Sequence, residues 1–249
     1  MIITSRQNPL IKKIVSLKEK KGHREHGLYI VEGIKQVREA LLAGCEVELA
    51  VFSENFSALS DFPCETTIVS QSVFEKLSEE KTPQGVLALV RLPECNMAEP
   101  TGNSLLLDGV SDPGNLGTIL RTANAAGYED IYLLNNCADP FSPKCVRSSM
   151  SGVFFVRLHI GSMPSLTSAL QGIPLLCADM AGENIFCFTP PQKFCLVIGN
   201  EANGVSEAVR ELCTYTVSIP MRPSCESLNA GVSAGILMYL LQQNRGEAK

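Results

Sequence analysis

Hydrophobic and polar positions alternate along the chain as short apolar runs separated by amphipathic stretches. Residues 8–20, NPLIKKIVSLKEK, place Leu10, Ile14 and Leu17 on one stripe of a helix and leave Lys12, Lys13 and Lys20 off it. Gly22 is expected to end that helix, with GHREHG as a polar loop. A strand-like LYIVEG follows, then a helix IKQVREALLAG with Ile34, Val37 and Leu41 at helical spacing, then the strand VELAVFS. Over residues 66–90, TTIVS, QSVFEKLS and GVLALV repeat strand, helix and strand. Short strands alternating with short helices predict a small α/β/α domain over residues 1–92.

Apolar periodicity stops at LPECNMAEPTGN, where two prolines and a glycine mark residues 93–103 as a linker. From 104 to 249 the alternation resumes with SLLLD, NLGTILRTANAAG, DIYLLN, SPKCVRSSM, FFVRL, SLTSALQ, PLLCAD, CLVIGNE, VSEAVREL and TVSIP. Wholly apolar strands between helices predict a parallel sheet covered on both faces, so the fold class is α/β in both parts. The closing helix, LNAGVSAGILMYLLQ, carries Gly231, Ser233, Ala234 and Gly235 on one side and is apolar almost all round. Such a helix is expected to be buried on every face, against its own sheet and against a second subunit.

Composition narrows the class. Of 249 residues, 45% are hydrophobic and 19% charged, which suits a chain that forms a core and excludes general disorder. The longest apolar stretch is far too short to span a bilayer, and MIITSRQNP lacks the layout of a secretory signal, so a cytoplasmic protein with no membrane partner is expected. The ten cysteines contain no Cys-x-x-Cys, and the histidines at 23, 26 and 159 stand apart from them, which argues against zinc or a redox dithiol. Cys177 and Cys195 interrupt apolar runs and read as small buried hydrophobes in a reduced protein.

The net charge of −5 hides an asymmetry. Residues 1–26 hold Arg6, Lys12, Lys13, Lys18, Lys20, Lys21 and Arg24 against Glu19 and Glu25, a balance of +5, so the remainder carries −10. A basic arm on an acidic body can grip phosphates locally, and a merely solvated helix face has the same composition. Charge alone does not choose between them.

In an open parallel sheet, ligands bind beyond the carboxyl ends of the strands, and three strand ends here carry unusual loops. The first, LDGVSDPGNLG from Leu107 to Gly117, leads into a helix bearing Arg121. Asn115 sits where it can cap that helix or reach a ligand. The loop has neither the Lys-Ser/Thr ending of a phosphate-binding loop nor the spacing GxGxxG, and by its glycines alone it reads as a turn. The second, VIGNEANG, runs an apolar strand into Gly199, which admits another backbone or a flat ligand, and Glu201, a helix-start carboxylate or a site group. The third, IPMRPSCESLN, places Ser227 where it can cap the last helix.

Together the three loops say more than any one. NLGxxxRTA after a DxxxDP strand end, then GNExxGV, then IPM followed by SLN and a small-residue helix, closely resemble the three motifs of the SpoU/TrmH family of RNA 2'-O-ribose methyltransferases, within the SPOUT superfamily. The basic start, SRQNPxIK and YIVEG, resembles more loosely the small ribosomal-protein-like substrate-binding domain of rRNA-directed members. The resemblance implies a deep trefoil knot in the second domain, S-adenosylmethionine as cofactor, a homodimer, and no metal. Carried over by motif, the cofactor pocket falls on Ile198, Gly199, Glu201, Ile219, Met221 and Leu228. The catalytic group falls on Asn115, Arg121, Glu201, Ser227 and Asn229. RNA contacts are expected from Arg6, Lys12, Lys13, Lys20, Lys21 and Arg24, with large-subunit rRNA favoured over tRNA. No histidine lies in the motifs to act as base, so Arg121 is expected to clamp a substrate phosphate and stabilise charge developing on the ribose oxygen. One departure is that Pro223 and Ser224 stand where the family has glycine after IPM. Proline removes an N–H donor, which leaves an inactive RNA-binding protein of the same fold as the alternative.

Overall fold

In a computed structural model, residues 2–56 and 62–243 are described. In chain order the elements are β1 (Ile2–Ile3), α1 (Pro9–Ser16), α2 (Lys20–His26), β2 (Leu28–Glu32), α3 (Ile34–Leu42), β3 (Val47–Ser53), β4 (Glu65–Val69), α4 (Gln71–Leu77) and β5 (Val86–Arg91). They continue with β6 (Ser104–Asp108), α5 (Pro113–Ala125), β7 (Asp130–Leu134), α6 (Pro143–Ser148), β8 (Arg157–Ile160), α7 (Met163–Ala169), β9 (Leu175–Asn184), β10 (Cys195–Gly199), α8 (Glu207–Arg210), β11 (Tyr215–Ser218) and α9 (Ala230–Gln243). Two compact units result: Met1–Glu94 with Asp139–Phe154, and Cys95–Ala138 with Phe155–Lys249.

The first unit is a mixed sheet in the order β1-β4-β3-β5-β2, with β5 antiparallel to both β2 and β3. Ile11, Ile14 and Leu17 of the first helical stretch are buried with Val73, Phe74 and Leu77 of α4 and with the sheet. Gly22 does not end the first helix. The chain breaks after Ser16 and α2 restarts at Lys20 with Gly22 inside it. A Cβ on Gly22 would lie 2.0 Å from the Ser16 carbonyl oxygen, so the glycine permits a close crossing of the two helices. The stop is Gly27, whose φ of +65° suits a left-handed cap. The later segment 139–154 is tied into this unit by side chains that its local pattern does not announce. Buried His23 bonds Asp139 at 2.8 Å, Arg147 pairs with Glu80 at 2.6 Å, and Ser151 bonds Glu39.

The second unit is a six-stranded sheet in the order β11-β9-β10-β6-β7-β8, parallel at every pairing. Every residue of β6 and β7 is buried, as the apolar runs require of a sheet covered on both faces. On one face Leu106, Tyr132 and Val197 pack with Leu166 and Leu170 beside α7 and with Val209 of α8. The alternate positions turn to the other face, where α9 packs on β10 and on α5. Successive strands run outward from β6 to β8, then the chain returns to place β10 beside β6. The topological switch point therefore lies between β6 and β10.

Helix α9 lies against α5 and β10 of its own chain. Its small residues serve its own chain, because added Cβ atoms at Gly231 and Gly235 would meet Thr118 and Thr122 of α5 at 3.1 and 3.5 Å. Leu237 and Leu241 are buried in the core, yet Val232 and Tyr239 are 49% and 52% exposed. The helix is thus not covered on every face by this chain. All ten cysteines are free thiols, with Cys177 and Cys195 fully buried. Among the described residues no helix is long and apolar enough to cross a membrane.

Candidate active site

The carboxyl ends of β6 and β10 lie side by side, with Ile198 paired to Leu107 and Gly199 to Asp108. The loops that leave them are cross-linked by polar side chains. Asn200 Nδ2 donates to the Gly109 carbonyl at 2.8 Å, while the Ser206 N–H donates to Asp108 Oδ2 at 2.7 Å. Gly199 is required by its own loop: a Cβ there would lie 2.2 Å from the Gly204 carbonyl carbon, where the chain folds back. Of the two readings of that glycine, close approach of another backbone is the one present.

Asn115 does not cap α5. Asp112 does, accepting the Asn115 backbone N–H at 2.8 Å, with Pro113 in the first turn. That frees the Asn115 side chain. Its Nδ2 donates to Glu201 Oε1 at 2.9 Å, and its Oδ1 accepts from Asn229 Nδ2 at 2.9 Å. Asn229 Oδ1 in turn accepts the N–H groups of Gly231 and Val232 at 3.0 and 3.2 Å, so Asn229 rather than Ser227 caps α9. One residue from each of three motifs is joined in a single chain of hydrogen bonds. Ser111 anchors its far end, its N–H and hydroxyl each 3.3 Å from Glu201 Oε2. Burial works against ionisation of Glu201, but hydrogen bonds from Asn115 and from backbone N–H groups outweigh it and hold the carboxyl below its ordinary value.

Beside this chain lies a cavity of about 460 Å³. All six residues that the resemblance assigned to the cofactor, Ile198, Gly199, Glu201, Ile219, Met221 and Leu228, line it, and so does Ser227. The size falls within the range of roughly 300–1,000 Å³ usual for small-ligand pockets. Its chemistry fits a nucleoside sulfonium. Ile198, Ile219, Met221 and Leu228 offer apolar contact, and Glu201 and Glu226 offer carboxylates to a cation. The lining passes from Met221 directly to Glu226, skipping Pro223 and Ser224. These two occupy a turn closed by the Cys225 N–H on the Arg222 carbonyl at 2.9 Å, with Pro223 in the second position that proline favours. The departure from the family pattern is therefore displaced from the cavity wall.

Arg121 lies on the exposed side of α5, about 120° around the helix from Asn115. No described residue is hydrogen-bonded to its guanidinium. Among the basic residues of the arm, Lys12, Lys20, Lys21 and Arg24 are exposed. Arg6 bonds the Ser72 carbonyl at 3.1 Å and Lys13 pairs with Glu48 at 3.3 Å. The sequence reading missed Ser111, Asp112, Asn200, Asp179 and Arg210. The Asp-Pro pair at 112–113 is a legible helix-start signal, whereas the other four act through partners 31 to 91 residues away.

Comparison with known proteins identifies the family. The profile of the SpoU rRNA Methylase family matches residues 102–239, and that of the MRM3-like substrate binding domain matches residues 8–88. The chain belongs to the SpoU rRNA methylase family. It is 31% identical to the 23S rRNA (guanosine(2553)-2'-O)-methyltransferase RlmP of Bacillus subtilis, over 96% of this chain and 98% of that one. It is 34% identical to an uncharacterized tRNA/rRNA methyltransferase of Synechocystis, over 95% of this chain and 92% of that one. The solved structure of the SpoU methyltransferase AviRb from Streptomyces viridochromogenes with AdoMet superposes with a TM-score of 0.88 at 27% identity, covering 98% of this chain and all of that one.

Proposed function

We propose that the protein methylates a ribose 2'-oxygen of large-subunit ribosomal RNA, using S-adenosylmethionine bound in the cavity at the β6–β10 switch point. The observation that carries this reading is the joining of Glu201, Asn115 and Asn229 at the edge of a cavity lined by every expected cofactor residue. When bound, S-adenosylmethionine supplies a methyl group on a sulfonium. The protein's task is to orient a poor nucleophile and to stabilise charge on its oxygen. Glu201 holds the Asn115 amide in one orientation, and Asn115 holds Asn229, so the amides of both residues are pre-set before substrate arrives. Ser227 presents a hydroxyl in the cavity wall. Arg121, exposed and unpaired among the described residues, is assigned to the substrate phosphate and to the developing oxyanion. The name of the Bacillus subtilis relative supports 23S rRNA as the substrate class, and that substrate in turn supports a cytoplasmic location. Mapping 2'-O-methyl groups in large-subunit rRNA with and without the protein and S-adenosylmethionine tests the reading; no new methylated ribose would refute it.

The arm is assigned to RNA phosphates through Lys12, Lys20, Lys21 and Arg24. Neutralising all four should weaken binding to any RNA and lower the slope of log affinity against log salt by roughly 0.7 per lost contact on single strands. Cofactor affinity should stay constant, and methylation should recover at saturating RNA. Unchanged RNA affinity at both low and moderate salt would remove the arm from the substrate site.

The trefoil knot and the homodimer come from the family resemblance. The half-exposed Val232 and Tyr239 on α9 support the dimer, since a helix this apolar leaves a face to be covered. Replacing both with Asp should yield a monomer that melts within a few degrees of the parent, read by sedimentation at micromolar concentration and by thermal unfolding. A monomeric parent protein would refute the assignment.

A further inference from the structure

We infer that Asp179, braced by Arg210, is the acceptor for the ribose diol of the nucleoside cofactor. This rests on the cofactor reading above and adds two residues that none of the three motifs contains. Asp179 lies on β9, the strand beyond β10 from the Glu201–Asn115–Asn229 chain, and both Asp179 and Arg210 line the cavity. The Asp179 carboxylate is fixed at both oxygens. Oδ1 accepts the Ala181 N–H at 3.0 Å, and Oδ2 accepts from Arg210 Nη2 at 2.6 Å. Each oxygen retains a second lone pair, so the group offers two adjacent acceptor sites.

The charge decides which part of the cofactor suits these sites. S-adenosylmethionine carries an ammonium, a carboxylate, a sulfonium, an adenine and a vicinal diol. The carboxylate of Asp179 is already matched by the Arg210 guanidinium, so an ammonium arriving there would meet an arginine beside it. A neutral diol meets no such repulsion, and its two adjacent hydroxyls fit two adjacent oxygens. The Ala181 N–H, outweighing burial, and Arg210 together hold the Asp179 carboxyl below its ordinary value, so it remains an acceptor at neutral pH. Arg210 acts here as a positioning residue. Asp179 stands two residues past Cys177, the last residue of β9 paired to β10, and a carboxylate just beyond a parallel pairing that takes ribose hydroxyls is the solution other nucleotide-binding sheets use.

The test is calorimetric titration with S-adenosylhomocysteine and with 5'-methylthioadenosine, which keeps the diol and lacks the amino-acid group. Asp179→Asn should weaken both by a similar factor of about ten or more. Asp179→Ser, which can still accept the Ala181 N–H, should do the same, and unchanged melting of either variant separates this loss from misfolding. The 2'-deoxy analogue of methylthioadenosine should bind parent and Asp179→Asn within a few-fold of each other, because the contact is already missing. Loss confined to S-adenosylhomocysteine would hand Asp179 to the ammonium and overturn the assignment. Unchanged binding of both compounds would reduce the pair to a brace between β9 and α8. A parent protein that binds neither compound would overturn the cofactor reading itself, and with it this inference.

Discussion

Arg121→Ala is expected to lower methyl transfer by a factor of a hundred or more while S-adenosylmethionine binds as before. The separation of the two effects follows from position. None of the cavity lining comes from α5, and Arg121 stands on that helix's exposed side with no bond to the described residues. An exposed cation with no bond to the described residues has no structural duty, so its removal should change stability by no more than about 0.5 kcal/mol. On the proposed reading, its loss removes a charge-assisted contact to an oxygen gaining negative charge, on the order of 3 kcal/mol, or roughly a hundredfold in rate. Arg121→Lys should recover only part of the rate, because an ammonium cannot reproduce the planar two-pronged donation of a guanidinium. Single-turnover transfer at saturating RNA and cofactor measures the step directly. A rate within a few-fold of the parent would end the catalytic assignment of Arg121.

The largest loss of stability is expected at Asp130, at the start of β7 and remote in the sheet from the strand ends that form the cavity. Its buried carboxylate accepts Nε and Nη2 of Arg157, both at 2.9 Å, the Thr101 N–H at 2.9 Å and His159 Nε2 at 3.0 Å. Asp130→Ala leaves all of these groups without their acceptor, at a cost of about 3–5 kcal/mol, tempered because Arg157 is half-exposed and can turn to water. For a unit of this size the midpoint of thermal unfolding should fall by roughly 10 °C. The effect should depend on pH with a definite sign. Burial works against ionisation of Asp130, but the bonds from Arg157, His159 and Thr101, with the Arg157 charge, hold its carboxyl well below the ordinary value. A carboxyl lowered on folding contributes stability above its unfolded value, about 3.9, and loses it as pH falls toward the folded value. The gap between parent and variant should therefore be full at pH 7 and shrink below about pH 4. A gap that persists undiminished at pH 3 would show that packing, not charge, carries the loss.

The order of elements was legible because each obeys a local rule. An apolar run such as SLLLD cannot be exposed on either side, so it demands a parallel strand inside a sheet, and β6 spans those five residues. Amphipathic stretches fixed where helices lie, because 3.6-residue periodicity is a property of neighbours in sequence. The motifs named six residues expected to meet the cofactor, and tertiary structure gathered them at one cavity, since strand ends and their loops carry most of them. Where the reading failed, neighbouring residues could each have filled the same post, and the folded backbone chose between them. Gly22 looked like a stop, but it answers to the Ser16 carbonyl crossing over it. Ser227 and Asn115 looked like caps, but Asn229 and Asp112 hold those posts, a choice between near neighbours that the local pattern left open.

By itself the sequence determined the two-part α/β architecture, the parallel sheet of the second part and the residues its three motifs contribute, since periodicity, apolar runs and motif order all reside in the chain. Only the tertiary structure decided that segment 139–154 joins the first unit and that Glu201, Asn115 and Asn229 form one hydrogen-bonded line. It alone decided, too, that Asp179 and Arg210 meet at the cavity and that Val232 and Tyr239 are left uncovered. These depend on which side chains arrive together after strands distant in sequence have paired. Hydrogen bonds and burial are set by distance in space, and a linear pattern records distance only along the chain.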